Sequence, residues 1–360
     1  MREPAPLPAV ENYPPAAKRN TRNSLITVGI ILFLAVLVYV QWRAWQHFDW
    51  QTFLQETRGL DWSRVGVAAA LIYATYGIRA LRWKIFMRPN REVPAVELVS
   101  PTMVGFTGLA LLGRPGELVR PCLIAGRTQT SVASQLGVWT VERIFDLGAY
   151  ALIASVAIFV APSLPALKQF RVAGVIFLST VVALATGAIV MRKNGVAIFG
   201  WLEQKLVHAP GIVRRTLAKA ESFIDGLNAI RDFRSFVEIT LLSFALWLVV
   251  ASSYFEIAHA YPSLRYMPFS YLVLIVGFSM IGGLAQLPAV GGGAQIATIL
   301  ALADVFSVPR ELAVSCGILF WLVSFQAVTP AGLILARKQH LSFRGLSSQA
   351  AAPAAVPIEP

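Results

Sequence analysis

Seven ionisable side chains lie between apolar runs within residues 113–146: Arg114, Glu117, Arg120, Arg127, Glu142, Arg143 and Asp146. A charge at membrane depth costs roughly 2.5–3.5 kcal/mol on insertion scales, so such groups are paired, hydrated or used. Glu142 and Asp146 are four apart and share a helix face. Two carboxylates so placed raise one of their pKa values unless a cation sits between them, and Arg114, Arg120 and Arg143 are the candidates. The arginines could hold an anionic group such as a lipid phosphate. Glu117, Glu142 and Asp146 would then orient them or meet a cationic headgroup. Alternatively, Glu142 and Asp146 could act as acid and base. The plain alternative is a structural salt-bridge network that never touches a ligand, and Glu117 could equally pair with Arg120, one turn away.

A second stretch, residues 286–295 (QLPAVGGGAQ), interrupts another apolar run. A broken helix frees backbone groups that need protein or water partners, so breaks occur where a cavity exists. Half-helix N-termini also present N–H groups to anions. Gly291, Gly292 and Gly293 would let backbone approach a ligand closely, or let helices pack tightly. Gln286 and Gln295 flank the break, where their amides can bond a polar headgroup or cap freed backbone groups. With Pro288 they complete the candidate substrate-binding set. The two breaks are expected to face each other inside a membrane transporter.

Composition sets the frame for these residues. The 360-residue chain is 56% hydrophobic and only 14% charged, against about 25% charged residues in soluble domains. Mean hydropathy is +0.62, and several apolar runs approach the roughly 20 residues that span a bilayer. The formal net charge is +12. Its Lys and Arg cluster between apolar runs, which fits the positive-inside rule and anionic lipid rather than nucleic acid. Cys122 and Cys316 lie in apolar surroundings, and His47, His208, His259 and His340 are scattered. No metal site, cofactor or nucleophile–base pair is therefore expected.

The elements that must position these side chains follow from charge bias and helix breakers. Residues 1–24 read as a disordered basic tail. Residues 25–42 read as an uncleaved first span with a cytoplasmic leader, and 43–64 as an outer aromatic belt. Residues 65–86 return inward and end in Arg79, Arg82 and Lys84. Arg79, Arg82 and Trp83 read as an inner-interface anchor, with headgroup contact as the lesser option. Residues 95–130 then read as a re-entrant hairpin with GRPGE near its tip, because Pro115 cannot sit inside a helix and Gly116 permits a turn. Residues 129–160 cross outward and 172–191 cross back. Residues 192–235 form a cytoplasmic segment with an amphipathic helix, on the membrane or on other loops. Residues 236–260 cross outward, 271–305 form a second hairpin opened from outside, and 311–336 return to the cytoplasm. Residues 346–360 are a disordered tail.

The expected fold is thus an all-α polytopic membrane protein, a single transmembrane domain over 25–345. It has about six full spans and two opposed re-entrant hairpins. The halves 25–161 and 172–336 form an inverted repeat.

GRPGELVR at 113–120, VERIFD at 141–146 and LPAVGGGAQ at 287–295, in this order, resemble the flippase-like family, also known as the lysylphosphatidylglycerol synthase transmembrane region or UPF0104 family. The resemblance covers about 25–344. It implies a membrane protein that moves a lipid between leaflets, aminoacylated phosphatidylglycerol in the multiple-peptide-resistance type. Two departures bear on that implication. Synthase members carry a soluble aminoacyl-transferase domain after the membrane part. This chain stops soon after Arg344, so it is expected not to make the lipid. Gln295 stands where the resemblance leads one to expect Glu, so no carboxylate role carries over to that point.

The function expected is a lipid flippase of the bacterial inner membrane, both termini cytoplasmic, acting on a phospholipid or lipid-linked substrate. The rivals are an intramembrane enzyme or accessory subunit in envelope lipid or glycolipid synthesis, and a structural partner of envelope-synthesis proteins.

Overall fold

The computed structural model describes residues 48–89, 91–161, 232–287 and 291–339, with scattered positions between 172 and 186. The expected tails (1–24 and 346–360), the first span (25–42), most of 172–191, residues 192–231 and Pro288 lie outside the described residues. The chain divides into two units, residues 1–50 and 51–360. In the first, the rings of Phe48 and Trp50 meet edge to face at 4.8 Å. The second holds the helical body and both expected breaks.

The described chain is essentially helical. It comprises α1 (Trp50–Arg58), α2 (Trp62–Met87), α3 (Ala95–Leu112), a 3₁₀ turn (Arg114–Leu118), α4 (Val119–Thr128), α5 (Val132–Val160) and α6 (Phe233–His259). Then come α7 (Phe269–Gly282), a two-residue β1 (Gln286–Leu287) paired antiparallel with β2 (Gly291–Gly292), and α8 (Gly293–Leu300). Last are α9 (Arg310–Trp321) and α10 (Val328–Lys338), joined by a π-helical turn at Leu322–Gln326. Among the described residues, four stretches are long and apolar enough to cross a membrane: α3, α5, α6 and the continuous run Arg310–Lys338. At 1.5 Å per residue, α2 is also long enough, about 39 Å, although Arg79, Arg82 and Lys84 lower its hydropathy.

Side-chain caps start the long helices. Asp61 accepts from the Ser63 amide at the head of α2, Ser131 from Ser134 at α5, and Asp232 from Ser235 at α6. Each satisfies one of the amides that a helix start leaves without an internal partner.

Two helical hairpins interrupt the long helices. In the first, α3 and α4 run back along each other with glycine at the contact. A Cβ on Gly116 would lie 2.0 Å from the Gly108 carbonyl oxygen, and one on Gly105 would lie 2.4 Å from the Arg120 Cβ. The turn is made at Gly113, whose φ of 69° a side chain would strain. Pro115 sits at the start of the 3₁₀ turn, where its missing N–H costs nothing. In the second hairpin, α7 and α8 close on Gly282 and Gly293. A Cβ on either would come within 2.2 Å of the other's carbonyl oxygen.

The ends of these hairpins lie at opposite ends of the long helices. Arg91 donates to the Thr128 carbonyl and Arg127 to the Glu97 carbonyl, each at 2.9 Å, so both ends of the first hairpin sit beside the C-terminus of α2. Arg88, one residue past α2, pairs with Glu238 near the start of α6. The second hairpin starts and ends elsewhere, where Tyr271 and Phe306 meet at 4.8 Å. Nearby, Asp61 N–H bonds the Ala260 carbonyl and Arg64 pairs with Glu256. The α2–α6 pair thus runs antiparallel between two distinct ends.

Among the described residues, apolar packing forms two large cores and a small cluster of Val104, Val119, Leu123 and Ala336. One core includes Ile72, Tyr76, Tyr150, Tyr254, Leu272 and Phe320. The other includes Trp83, Phe86, Met87, Ile124, Val141 and Ile239. Between the two large cores α2, α5 and α6 bury the polar side chains of Arg79, Arg82, Glu142, Asp146 and Ser243, and this layer holds the site.

Candidate functional site

Arg82 on α2 is the centre of the polar layer and is fully buried. Its Nη1 donates to Asp146 Oδ1 at 2.5 Å and to Ser243 Oγ at 3.1 Å. Its Nη2 lies 2.8 Å from Glu142 Oε1. Arg120, carried on α4, donates to both Glu142 oxygens. Arg143 lies 2.9 Å from Asp146 and 3.4 Å from Glu142. Arg79, one turn before Arg82, is 3.8 Å from Asp146. The i, i+4 spacing of Glu142 and Asp146 on α5 lets both carboxylates meet Arg82 on α2, while Glu142 also meets Arg120 on α4. Of the three cations expected between them, Arg143 meets both carboxylates, Arg120 meets Glu142 alone and Arg114 takes no part, while Arg82, not among the three, is the central one.

Among the described residues, four guanidiniums therefore face two carboxylates, an excess of two positive charges within this layer. Arg79 makes no hydrogen bond through Nε or Nη1. Aromatic faces hold the cations where carboxylates do not. Arg120 lies 4.3 Å over the Trp83 ring, Arg79 lies 4.7 Å over Phe106, and Arg143 lies 5.9 Å over Trp139. Trp83 is itself fixed by donating to Gln135 Oε1 at 3.0 Å.

Among the described residues, two cavities meet this layer. The larger, about 120 Å³, is lined by Thr75, Arg79, Phe106, Trp247, Ser279 and Ser324 among others. The smaller, about 40 Å³, is lined by Phe106, Glu117, Arg120, Trp139 and Arg143, with Gly105 and Leu109. Phe106 and Leu109 belong to both walls. Among the described residues Glu142 and Asp146 line neither cavity. Arg79, Arg120 and Arg143 stand at the cavity walls, and Arg82 and the two carboxylates lie behind them.

The other expected site residues lie at the hairpin tips. Glu117 pairs with Arg114 rather than with Arg120, and Arg114 is exposed at the first tip. Arg127 sits at that hairpin's outer end, on the Glu97 carbonyl. In the second break, Gln286 pairs with Gly292 and Leu287 with Gly291 across the short ladder. Gly292 takes a φ of 82°, and Gln295 is half-buried in the first turn of α8. Neither hairpin tip contributes a described residue to the larger cavity. The arms do: Phe106 and Leu109 from the first hairpin and Val276, Ser279 and Met280 from the second line it together.

Arg79, Arg82 and Trp83 do not form an interface anchor. Helix α2 continues to Met87, so Arg82 and Trp83 are fully enclosed and Arg79 is 8% exposed. The usable signal is the apolar flank of Arg82: Ile78, Ala80, Leu81, Ile85 and Phe86 surround it. A snorkelling arginine needs water within reach, and none of these neighbours offers it. Among the described residues no group of His, Cys, Asp and Glu is arranged to hold a metal ion.

A helical membrane protein with an arginine-rich polar layer buried between two apolar cores is the class that these features define. The chain belongs to the lysylphosphatidylglycerol synthase TM region family, which matches residues 26–332. It is similar to a UPF0104 membrane protein of Methanothermobacter thermautotrophicus, at 23% identity over 327 residues, 87% of this chain and 92% of that protein. No solved structure matches the chain. It is thus a multi-pass membrane protein of a lipid-associated family, consistent with a role in membrane lipid biology.

Proposed function

We propose that this protein is a lipid translocase of the bacterial inner membrane, both termini cytoplasmic, that passes the headgroup of a phospholipid or lipid-linked substrate between leaflets. The observation that carries the proposal is the order of charges at the polar layer. Arg79, Arg120 and Arg143 line cavities, while Glu142 and Asp146 sit behind them. A positive excess in a low-dielectric layer has high affinity for an anion, which a phosphate supplies. Intramembrane ionisable groups mark substrate paths more often than inert packing.

In this reading the two hairpins are re-entrant, the full spans number about six, and the halves form an inverted repeat. Their opposed ends support it, as do the glycine contacts that hold each hairpin closed. Alternating access would then open one cavity at a time, with the acyl chains left in lipid. Arg114 and Glu117 at the first tip are assigned to headgroup entry, Arg120 and Arg143 to phosphate contact, and Glu142 and Asp146 to orienting those arginines. Gln286, Pro288, Gly291, Gly292, Gly293 and Gln295 at the second tip are assigned to reception from the opposite side. Acid–base chemistry is disfavoured, because each carboxylate is engaged by several arginines and neither reaches a described cavity wall.

The test is reconstitution of purified protein in liposomes with a panel of fluorescent lipids, monitored by quencher access to each leaflet. Translocation above empty liposomes, without covalent change of the lipid by mass spectrometry, is expected. Conversion of a lipid by the purified protein would establish the enzymatic rival instead.

A further inference from the structure

The excess charge and the larger cavity, taken together, narrow the ligand. This step rests on the translocase reading and specifies what its site takes. Among the described residues the polar layer holds two more guanidiniums than carboxylates. The nearest further carboxylate at the cavities, Glu117, is matched by Arg114. Arg79, Arg82 and Arg120 are buried, and buried charge without a counter-charge is strongly unfavourable, so an anion in the layer would relieve the excess.

The larger cavity is where that anion has partners. Arg79 is 8% exposed and offers Nε and Nη1 with no hydrogen-bond partner, and Trp247, also 8% exposed, offers Nε1 in the same condition. Both line the cavity. Hydroxyls of Thr75, Ser279 and Ser324 surround it, and Tyr254 Oη bonds Ser279 Oγ at 3.0 Å. No Asp or Glu is among its described lining residues. A cationic headgroup would find no counter-charge there. Arg79 and these neutral donors at the cavity, backed by a layer with two more guanidiniums than carboxylates, match an acceptor-rich dianion.

We infer that the cavity between Arg79 and Trp247 binds a doubly charged phosphate, a terminal phosphate monoester on a lipid or free phosphate, in preference to a phosphodiester or an aminoacylated headgroup. A monoester presents three acceptor oxygens and approaches two charges above its second pKa, near 6. A diester carries one charge at any physiological pH. Arg79 would meet one oxygen edge through its two open N–H groups and Trp247 would donate to another.

The experiment titrates short-chain phosphatidic acid, short-chain phosphatidylglycerol and inorganic phosphate onto the purified full-length protein in detergent, reading affinity from the shift in Tm. At pH 8 phosphatidic acid is expected to bind at least about tenfold tighter than phosphatidylglycerol. That affinity is expected to fall about tenfold by pH 5, as the monoester takes up its second proton. Arg79→Gln and Trp247→Phe are each expected to abolish the preference. Trp247→Phe keeps the aromatic ring, so it serves if the arginine variant does not fold. The same preference and pH profile with inorganic phosphate alone would support the inference and identify free phosphate as the ligand. Equal affinity for monoester and diester, a flat pH profile, or an unchanged preference in Trp247→Phe would overturn it. Any of these would leave translocation of other headgroups standing.

Discussion

Arg82 and Asp146, 64 residues apart on α2 and α5, meet at 2.5 Å with no more than 3% of either side chain exposed. This contact ties the first long helix to the helix that follows the first hairpin. Arg120 and Glu142 extend the same tie to α4. Charge thus holds the hairpin to the frame, and glycine packing holds its two arms to each other.

Glu142→Gln and Arg82→Met test that tie. Removing one partner of a buried pair strands the others, at a cost of about 3–5 kcal/mol. Both variants are expected to show reduced folded yield and a lower Tm in detergent.

Arg79 is predicted to behave in the opposite way. Its ion-pair contact with Asp146 is 3.8 Å long, and two of its nitrogens have no partner. Arg79→Gln should therefore leave Tm unchanged or raise it, while translocation falls. A loss of stability as large as that of Arg82→Met would make Arg79 a structural residue.

Close backbone approach is predicted to be essential at Gly116 and dispensable at Gly126. A Cβ at Gly116 strikes the Gly108 backbone, whereas nothing lies within 4 Å of a Cβ at Gly126. Gly116→Ala should cost about 1–3 kcal/mol through forced displacement. Gly126→Ala, on the exposed face of α4, should gain about 0.5–1 kcal/mol from helix propensity. Thermal unfolding of the two variants side by side checks the contrast.

Cysteine labelling tests the hairpin's ends. In a background lacking Cys122 and Cys316, Glu97→Cys and Gln129→Cys should react with an impermeant maleimide from the same side of the membrane. Ser263→Cys should react from the other. Labelling of Glu97→Cys and Gln129→Cys from opposite sides would mean that the first hairpin crosses.

Acid sensitivity is expected at the head of α2. The Ser63 hydroxyl and amide both donate to Asp61 Oδ1, and with Arg64 nearby they hold its carboxyl below the ordinary value of 3.8. A depressed folded pKa adds stability that is full above that ordinary value and is lost as pH falls through the folded pKa. Asp61→Asn keeps an acceptor but carries no titrating charge, so its Tm should vary less with pH below about 4. Parallel melts of the two proteins check this.

Much of the site is legible in residue type and spacing. Pro115 between Gly113 and Gly116 announces the turn, because proline removes a donor and glycine admits a positive φ. The i, i+4 carboxylates announce a cation between them. The cation at the centre is hidden because Arg82 belongs to a run, Arg79 to Arg91, that has the look of a cytoplasmic loop. Where α2 ends decides between loop and core, and α2 ends only at Met87, beyond Arg82. The β1–β2 ladder and the π turn at Leu322–Gln326 leave no trace in periodicity. The first follows from bringing Gly282 onto Gly293. The second inserts one residue into an otherwise regular apolar helix, a change composition does not register.

The measurement that bears most directly on the whole account is headgroup translocation by Arg79→Gln and Arg120→Gln in proteoliposomes, at reconstitution levels matched to wild type. Removing a positive charge from the front of the polar layer should slow flipping of an anionic lipid by at least about tenfold in each. Folded variants that move the same lipid at the wild-type rate would contradict the claim that the arginines carry the headgroup.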